Sequence, residues 1–168
     1  MSGLHLPPEI LDSIVDLLHG NPETLKKCCL VSKPFVHRTR THLFHSVTFV
    51  STTDLEAWKK TFPNTANSPA YYTCLLWIGC LEVITMVDGE ESGWIRPFTN
   101  VVTFKVWNSN ASWDILKDPL APFHNFLPVL KALHVAPTTR LLSCVFSLVC
   151  SFPPLEDLTI MSDDHDDD

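Results

Sequence analysis

One spacing recurs three times in the second half of the chain and restricts its fold more than any other feature. Phe98-x2-Val101-x2-Phe104-x-Val106 is followed by Leu127-x2-Leu130-x2-Leu133-x-Val135 and then by Phe152-x2-Leu155-x2-Leu158-x-Ile160. Equivalent positions lie 29 residues apart (Val101 to Leu130) and then 25 apart (Leu130 to Leu155). The last two apolar residues of each unit are separated by two, so on a strand they face the same way. A unit this short cannot bury its apolar face alone, whereas stacked neighbours bury it in a shared core. The spacing therefore predicts one strand per unit, with the strands adding side by side.

Both intervals fall within the period of leucine-rich repeats, roughly 20 to 29 residues. Trp113–Leu120 and Leu141–Cys150 have the length and apolarity of helices that back such strands. A degenerate first copy is read in Leu75-x2-Ile78-x-Cys80, ahead of the acidic turn Asp88-Gly89-Glu90-Glu91-Ser92-Gly93. Ser162-Asp163-Asp164-His165-Asp166-Asp167-Asp168 follows the third copy directly and is expected to stay solvated. With no polar cap after Ile160, the chain reads as a shortened member of a longer repeat architecture.

The first half has a helical period instead. Pro8 suits a first helical position and Glu9 the first turn, and Ile10, Leu11, Ile14, Val15, Leu17 and Leu18 form an apolar stripe that stops at His19-Gly20. Asn21-Pro22-Glu23 starts a second, short helix with Leu25, Cys28 and Cys29 on one face. Ser32 is the expected N-cap of a third, in which Phe35, Thr39, His42 and Leu43 recur at helical spacing. A strand is expected over His45–Val50 with Val47 and Phe49 on one face, then a helix over Ser51–Phe62 ended by Pro63. Asn64–Pro69, rich in turn formers, is expected to be a loop and the internal boundary. Three helices of this size rarely bury enough surface to offset their own conformational entropy, so part of their apolar surface is expected to meet a partner.

The 168 residues, 45% hydrophobic, suffice for one ordinary domain or for a small module with a short repeat array. A net charge of -7 disfavours nucleic acid and favours a protein partner. The N-terminal residues Met1–Pro8 hold no Lys or Arg and no apolar run, which is unlike a secretory signal. The most apolar segment, Leu141–Phe152, has 12 residues, short of the roughly 18 that a membrane span needs. The expected location is cytoplasmic and/or nuclear, not secreted, with the six cysteines reduced and buried and the Asn110-Ala111-Ser112 sequon without meaning. No C-x2-C, H-x3-H, H-E-x-x-H, G-x-S-x-G, Walker or G-x-G-x-x-G pattern occurs, so neither a metal, a cofactor nor catalysis is expected. His37, His42 and His45 read as solvated helix histidines. The five tryptophans read mainly as packing residues, with Trp107 the first choice for a ligand surface.

Leu6-Pro7-Pro8-Glu9-Ile10-Leu11, then Leu25 to Phe35 with its Leu30-Val31-Ser32-Lys33-Pro34-Phe35 end, then Leu43-Phe44, resemble in order and gaps the F-box pattern. Over nearly its whole length the chain resembles the F-box proteins with degenerate leucine-rich repeats that are abundant in mushroom-forming fungi. The resemblance implies a mixed α+β fold: a three-helix F-box at 1–49, a connecting helix and loop at 50–72, a short, irregular leucine-rich-repeat-like α/β solenoid at 73–161, and an acidic tail at 162–168. It implies a module that binds a Skp-type adaptor, and through it a cullin scaffold, while the repeats hold a protein substrate for ubiquitination. Carried over by position, Leu6, Pro7, Ile10, Leu11, Ile14, Leu25, Val31 and Phe35 would make the adaptor contacts, as apolar anchors entering a groove. Phe35 stands where the family often has Trp and remains a large rigid anchor, and Pro34 is tolerated because it falls in a first helical turn. Two alternatives stay open: a repeat-based protein-binding module that engages no adaptor, and a truncated, decayed F-box paralogue.

Overall fold

The structure, a computed structural model, describes residues 6–86, 93–107, 123, 126–135, 150, 152 and 155–160. The chain divides into two compact units, Met1–His45 and Ser46–Asp168.

The first unit is helical. Helix α1 (Pro8–Leu17) opens on the Pro7 carbonyl, which accepts from the N–H groups of Ile10 and Leu11 at 3.0 and 3.3 Å. Its end comes at Leu17, before His19-Gly20, and the Asn21 N–H closes the turn on the Leu18 carbonyl. Helix α2 (Pro22–Val31) is capped as its sequence requires, the Thr24 N–H donating to Asn21 Oδ1 at 3.0 Å. Helix α3 (Lys33–Leu43) has Ser32 as its N-cap residue, as expected and with the extended backbone usual there, but the Ser32 side chain makes no cap hydrogen bond. Pro34 relieves that end by removing one of the N–H groups that a cap would have to satisfy. α3 packs against both α1 and α2, and Val15, Leu25 and Thr39 are the fully enclosed side chains. The Thr39 hydroxyl donates to the Phe35 carbonyl, so its burial leaves no unpaired group.

The second unit is a five-stranded, all-parallel sheet in sequential order: β1 (Ser46–Phe49), β2 (Leu75–Ile78), β3 (Thr103–Val106), β4 (Ala132–Val135) and β5 (Asp157–Ile160). Helix α4 (Thr52–Thr61) follows β1, and a five-residue helix α5 (Leu81–Thr85), not anticipated from the sequence, follows β2. β1 pairs with β2 along its full length, so the strand expected to close the helical module belongs to the sheet, and the division falls after His45. Asn64–Pro69 is no boundary. Its Asn64 and Ser68 side chains cap two 3-10 turns, Thr65–Asn67 and Pro69–Tyr72, that lead into β2.

Register shows how the repeat is built. Val47, Leu76, Phe104, Leu133 and Leu158 are successive partners, as are Phe49, Ile78, Val106, Val135 and Ile160. The steps are 29 residues (Val47 to Leu76), 28 (Leu76 to Phe104), 29 (Phe104 to Leu133) and 25 (Leu133 to Leu158). The degenerate copy is thus two residues out of frame in Leu75-x2-Ile78-x-Cys80. Its true frame is Ala70-x2-Thr73-x2-Leu76-x-Ile78, in which all four side chains are buried. The first two-residue gap of the units leading to β2, β4 and β5 is a tight turn: the N–H groups of Thr73, Leu130 and Leu155 donate to the carbonyls of Ala70, Leu127 and Phe152. At the next step two consecutive N–H groups converge on one carbonyl, those of Val102 and Thr103 on Cys74, and those of Lys131 and Ala132 on Val102.

The core lies on the face of the sheet that carries the paired apolar rows, and α4 brings Leu55 and Trp58 onto it. Phe49 meets Trp58, Trp94 and Phe98 edge-on with ring centres 5.8, 5.5 and 6.3 Å away. On the edge strand β5 the inward pair is not enclosed, Leu158 and Ile160 both being exposed. The helices expected at 113–120 and 141–150, apart from Cys150, lie outside the described residues, as do positions 88–92 of the acidic turn and the tail 162–168. Cys28, Cys29, Cys74 and Cys80 are half-buried and Cys150 is exposed, rather than enclosed as expected, and all five are free thiols. Among the described residues no helix is long and apolar enough to cross a membrane.

Candidate docking surfaces

Helix α1 is apolar on two sides. Leu11, Val15 and Leu18, at i, i+4 and i+7, point toward the other helices; Val15 is fully buried and the other two half-buried. Ile10, Ile14 and Leu17 repeat the same spacing one position earlier, and Leu6 continues it backward by four. These four are uncovered, from 41% exposed at Ile14 to 85% at Leu17. The end of α2 adds Leu30 and Val31, also strongly exposed. Six large apolar side chains, Leu6, Ile10, Ile14, Leu17, Leu30 and Val31, are thus exposed among the described residues of this unit, and fully burying one that is wholly exposed gains roughly 1.5 to 3 kcal/mol.

A groove of about 460 Å3 runs between the starts of α1 and α3, lined by Leu6, Pro7, Pro8, Leu11, Asp12 and Pro34. Three of its lining residues are prolines, whose fixed backbone torsion stiffens the groove. Of the residues that the resemblance singled out, Leu6, Pro7, Ile10, Ile14 and Val31 are exposed, and Leu11 and Phe35 are half-buried. Leu25 is only 1% exposed and cannot present its side chain to a partner. It sits on the inward stripe of α2, and its part is to hold the helices together. Leu17 and Leu30 are also exposed, which the sequence reading does not set apart from the inward residues. The signal for both is an apolar side chain off the inward stripe of its own helix.

An ion-paired clip fixes α1 to α3. Arg38 Nε and Nη2 donate to the two Asp16 carboxylate oxygens at 2.5 and 2.6 Å, a bidentate fork, and His42 Nε2 lies 2.7 Å from Asp16 Oδ1. The hydrogen bonds from Arg38, and then that with His42, hold the Asp16 carboxyl well below the usual carboxylate range. The same contact raises the Arg38 guanidinium. His42 also meets the His19 ring at 6.3 Å, so the expected solvated histidine is part of the packing.

In the sheet unit, the face opposite the core is the more open one among the described residues, with Thr48 and Trp77 exposed. Thr48, Trp77, Lys105, His134 and Thr159 are register partners and form a row across all five strands. Trp77 is exposed, and Lys105 and His134 half-buried. Parallel sheets are ordinarily covered on both faces by apolar contacts, and a row of this polarity departs from that rule. Trp107, half-buried just beyond β3, donates its backbone N–H to the Ile78 carbonyl. Among the described residues no three His, Cys, Asp or Glu side chains are grouped to hold a metal ion. No protein-family model, curated protein or solved structure matches the chain.

Proposed function

We propose that this chain is the substrate-receptor subunit of a Skp/cullin/F-box-type ubiquitin ligase. The helical unit is the adaptor-binding F-box, and the sheet unit is a short leucine-rich-repeat-like solenoid that holds a protein substrate. One observation carries the reading: α1 bears a second apolar stripe, Ile10, Ile14 and Leu17, continued by Leu6 just before the helix, that is left uncovered. A helix with one covered stripe and one bare stripe is built both to fold and to dock, and its Leu-Pro start falls where the resemblance places the adaptor contacts. The solenoid reading is supported by sequential parallel order and steps of 25 to 29 residues, which are the properties of stacked repeats.

Such a subunit performs no chemistry itself. It raises the effective concentration of substrate near the ligase, and its two surfaces need only act in one chain. The test is coexpression of the full chain with a Skp-type adaptor and size-exclusion chromatography. A one-to-one complex is expected. A folded chain that elutes alone would replace this reading with that of a repeat protein that engages no adaptor.

A further inference from the structure

We infer that the open face of the sheet takes an acidic polypeptide segment through the row Trp77, Lys105 and His134, resting on the proposed reading of that face as the substrate-holding surface. Trp77 is the partner of Lys105, and Lys105 of His134, so the three side chains stand on one face of adjacent strands, about 4.8 Å from each to the next. Among the described residues none of the three makes a side-chain hydrogen bond or ion pair, although Lys131, just before β4, is paired with Glu156 at 2.8 Å. The other charged member of this face is Asp157, in the neighbouring row on the edge strand. Lys105 is half-buried and has no carboxylate partner among the described residues, so an incoming carboxylate can form a charge-assisted bond with it without breaking an existing pair.

The charge balance selects the occupant. The chain as a whole carries -7, which repels an extended polyanion such as RNA, while a short acidic segment meets Lys105 at close range and the His134 ring as a hydrogen-bonding neighbour. The row from Trp77 to His134 spans roughly 10 Å, the length of about three residues of extended chain at about 3.3 Å each. The segment therefore places an apolar side chain on the Trp77 ring and acidic side chains over Lys105 and His134.

The test pans a displayed library of random nine-residue peptides against the immobilised full chain. Enrichment of peptides with two or more Asp or Glu beside an apolar residue is expected. Lys105→Glu with His134→Glu should turn the enriched charge from acidic to basic, and Lys105→Gln with His134→Gln should weaken the acidic peptides at least tenfold with an unchanged circular dichroism spectrum. An Ile10→Asp, Ile14→Asp chain should enrich the same peptides as the wild type. No enrichment by folded wild type, enrichment without charge preference, or a 20-uridine oligonucleotide binding as tightly as the peptides would overturn the assignment. Adaptor binding is read on the other unit, so failure there leaves the panning result standing, and the reverse also holds.

Discussion

Neighbouring side chains on one helix have opposite duties here, and substitution separates them. Leu25 is enclosed, so Leu25→Ala should destabilise the helical unit by about 2 to 5 kcal/mol. Leu17→Ser and Leu30→Ser, at 85% and 86% exposure, should change stability by less than about 0.5 kcal/mol in urea unfolding. Equal losses at the three positions would mean that the outward stripe is also core. Thr73 is fully buried, and its hydroxyl has no partner among the described residues. Thr73→Val keeps the shape and removes the unpaired group, so it should stabilise the sheet unit by about 1 kcal/mol or more. Asp16 adds a pH dependence. Its carboxyl is depressed in the folded state, so its stabilisation is complete above the unfolded carboxylate value, about 3.9, and is lost as pH falls below it. Amide exchange at α1 and α3 should quicken over that acid range in the wild type and lose this dependence in Asp16→Asn.

At the scale of elements, the capped helices, α3 among them despite Thr39 and His42 in its period, and the strands with full apolar periods are readable from the chain, and the short α5 and the frame of β2 are not. β3, β4 and β5 sit on the recurring apolar positions, and α1, α2 and α4 lie within one or two residues of their expected limits. The frame of β2 was lost because Ala70 and Thr73 fill positions held elsewhere by Phe, Val or Leu, so Leu75 and Cys80 gave a better-looking but false match. β1 was visible as a strand, but its pairing with β2 is a long-range fact that local alternation cannot carry. In the candidate surface, the apolar stripe of α1 is legible in the sequence, while the exposure of Ile10 and Ile14 and the burial of Leu25 depend on how the helices turn against one another. Local capping is also testable. Ser51 and Asp54 form a reciprocal capping box at the start of α4, and Ser51→Ala should cost the sheet unit about 1 kcal/mol in thermal or urea unfolding.

The whole molecule combines a small helical unit that leaves one apolar stripe exposed with a parallel sheet whose second face carries a polar row. The central claim is that the bare stripe docks on a Skp-type adaptor. Its most direct test is a calorimetric titration of adaptor into the full chain, beside Ile10→Asp, Ile14→Asp and beside Lys105→Gln, His134→Gln. Loss of two anchors, each giving roughly 1.5 kcal/mol or more, predicts an affinity at least about 100-fold weaker for the first variant, whose exposed positions leave the fold intact. The second variant should bind like the wild type. A folded wild type that takes up no adaptor, or a first variant that binds it as tightly as the wild type, would contradict the account.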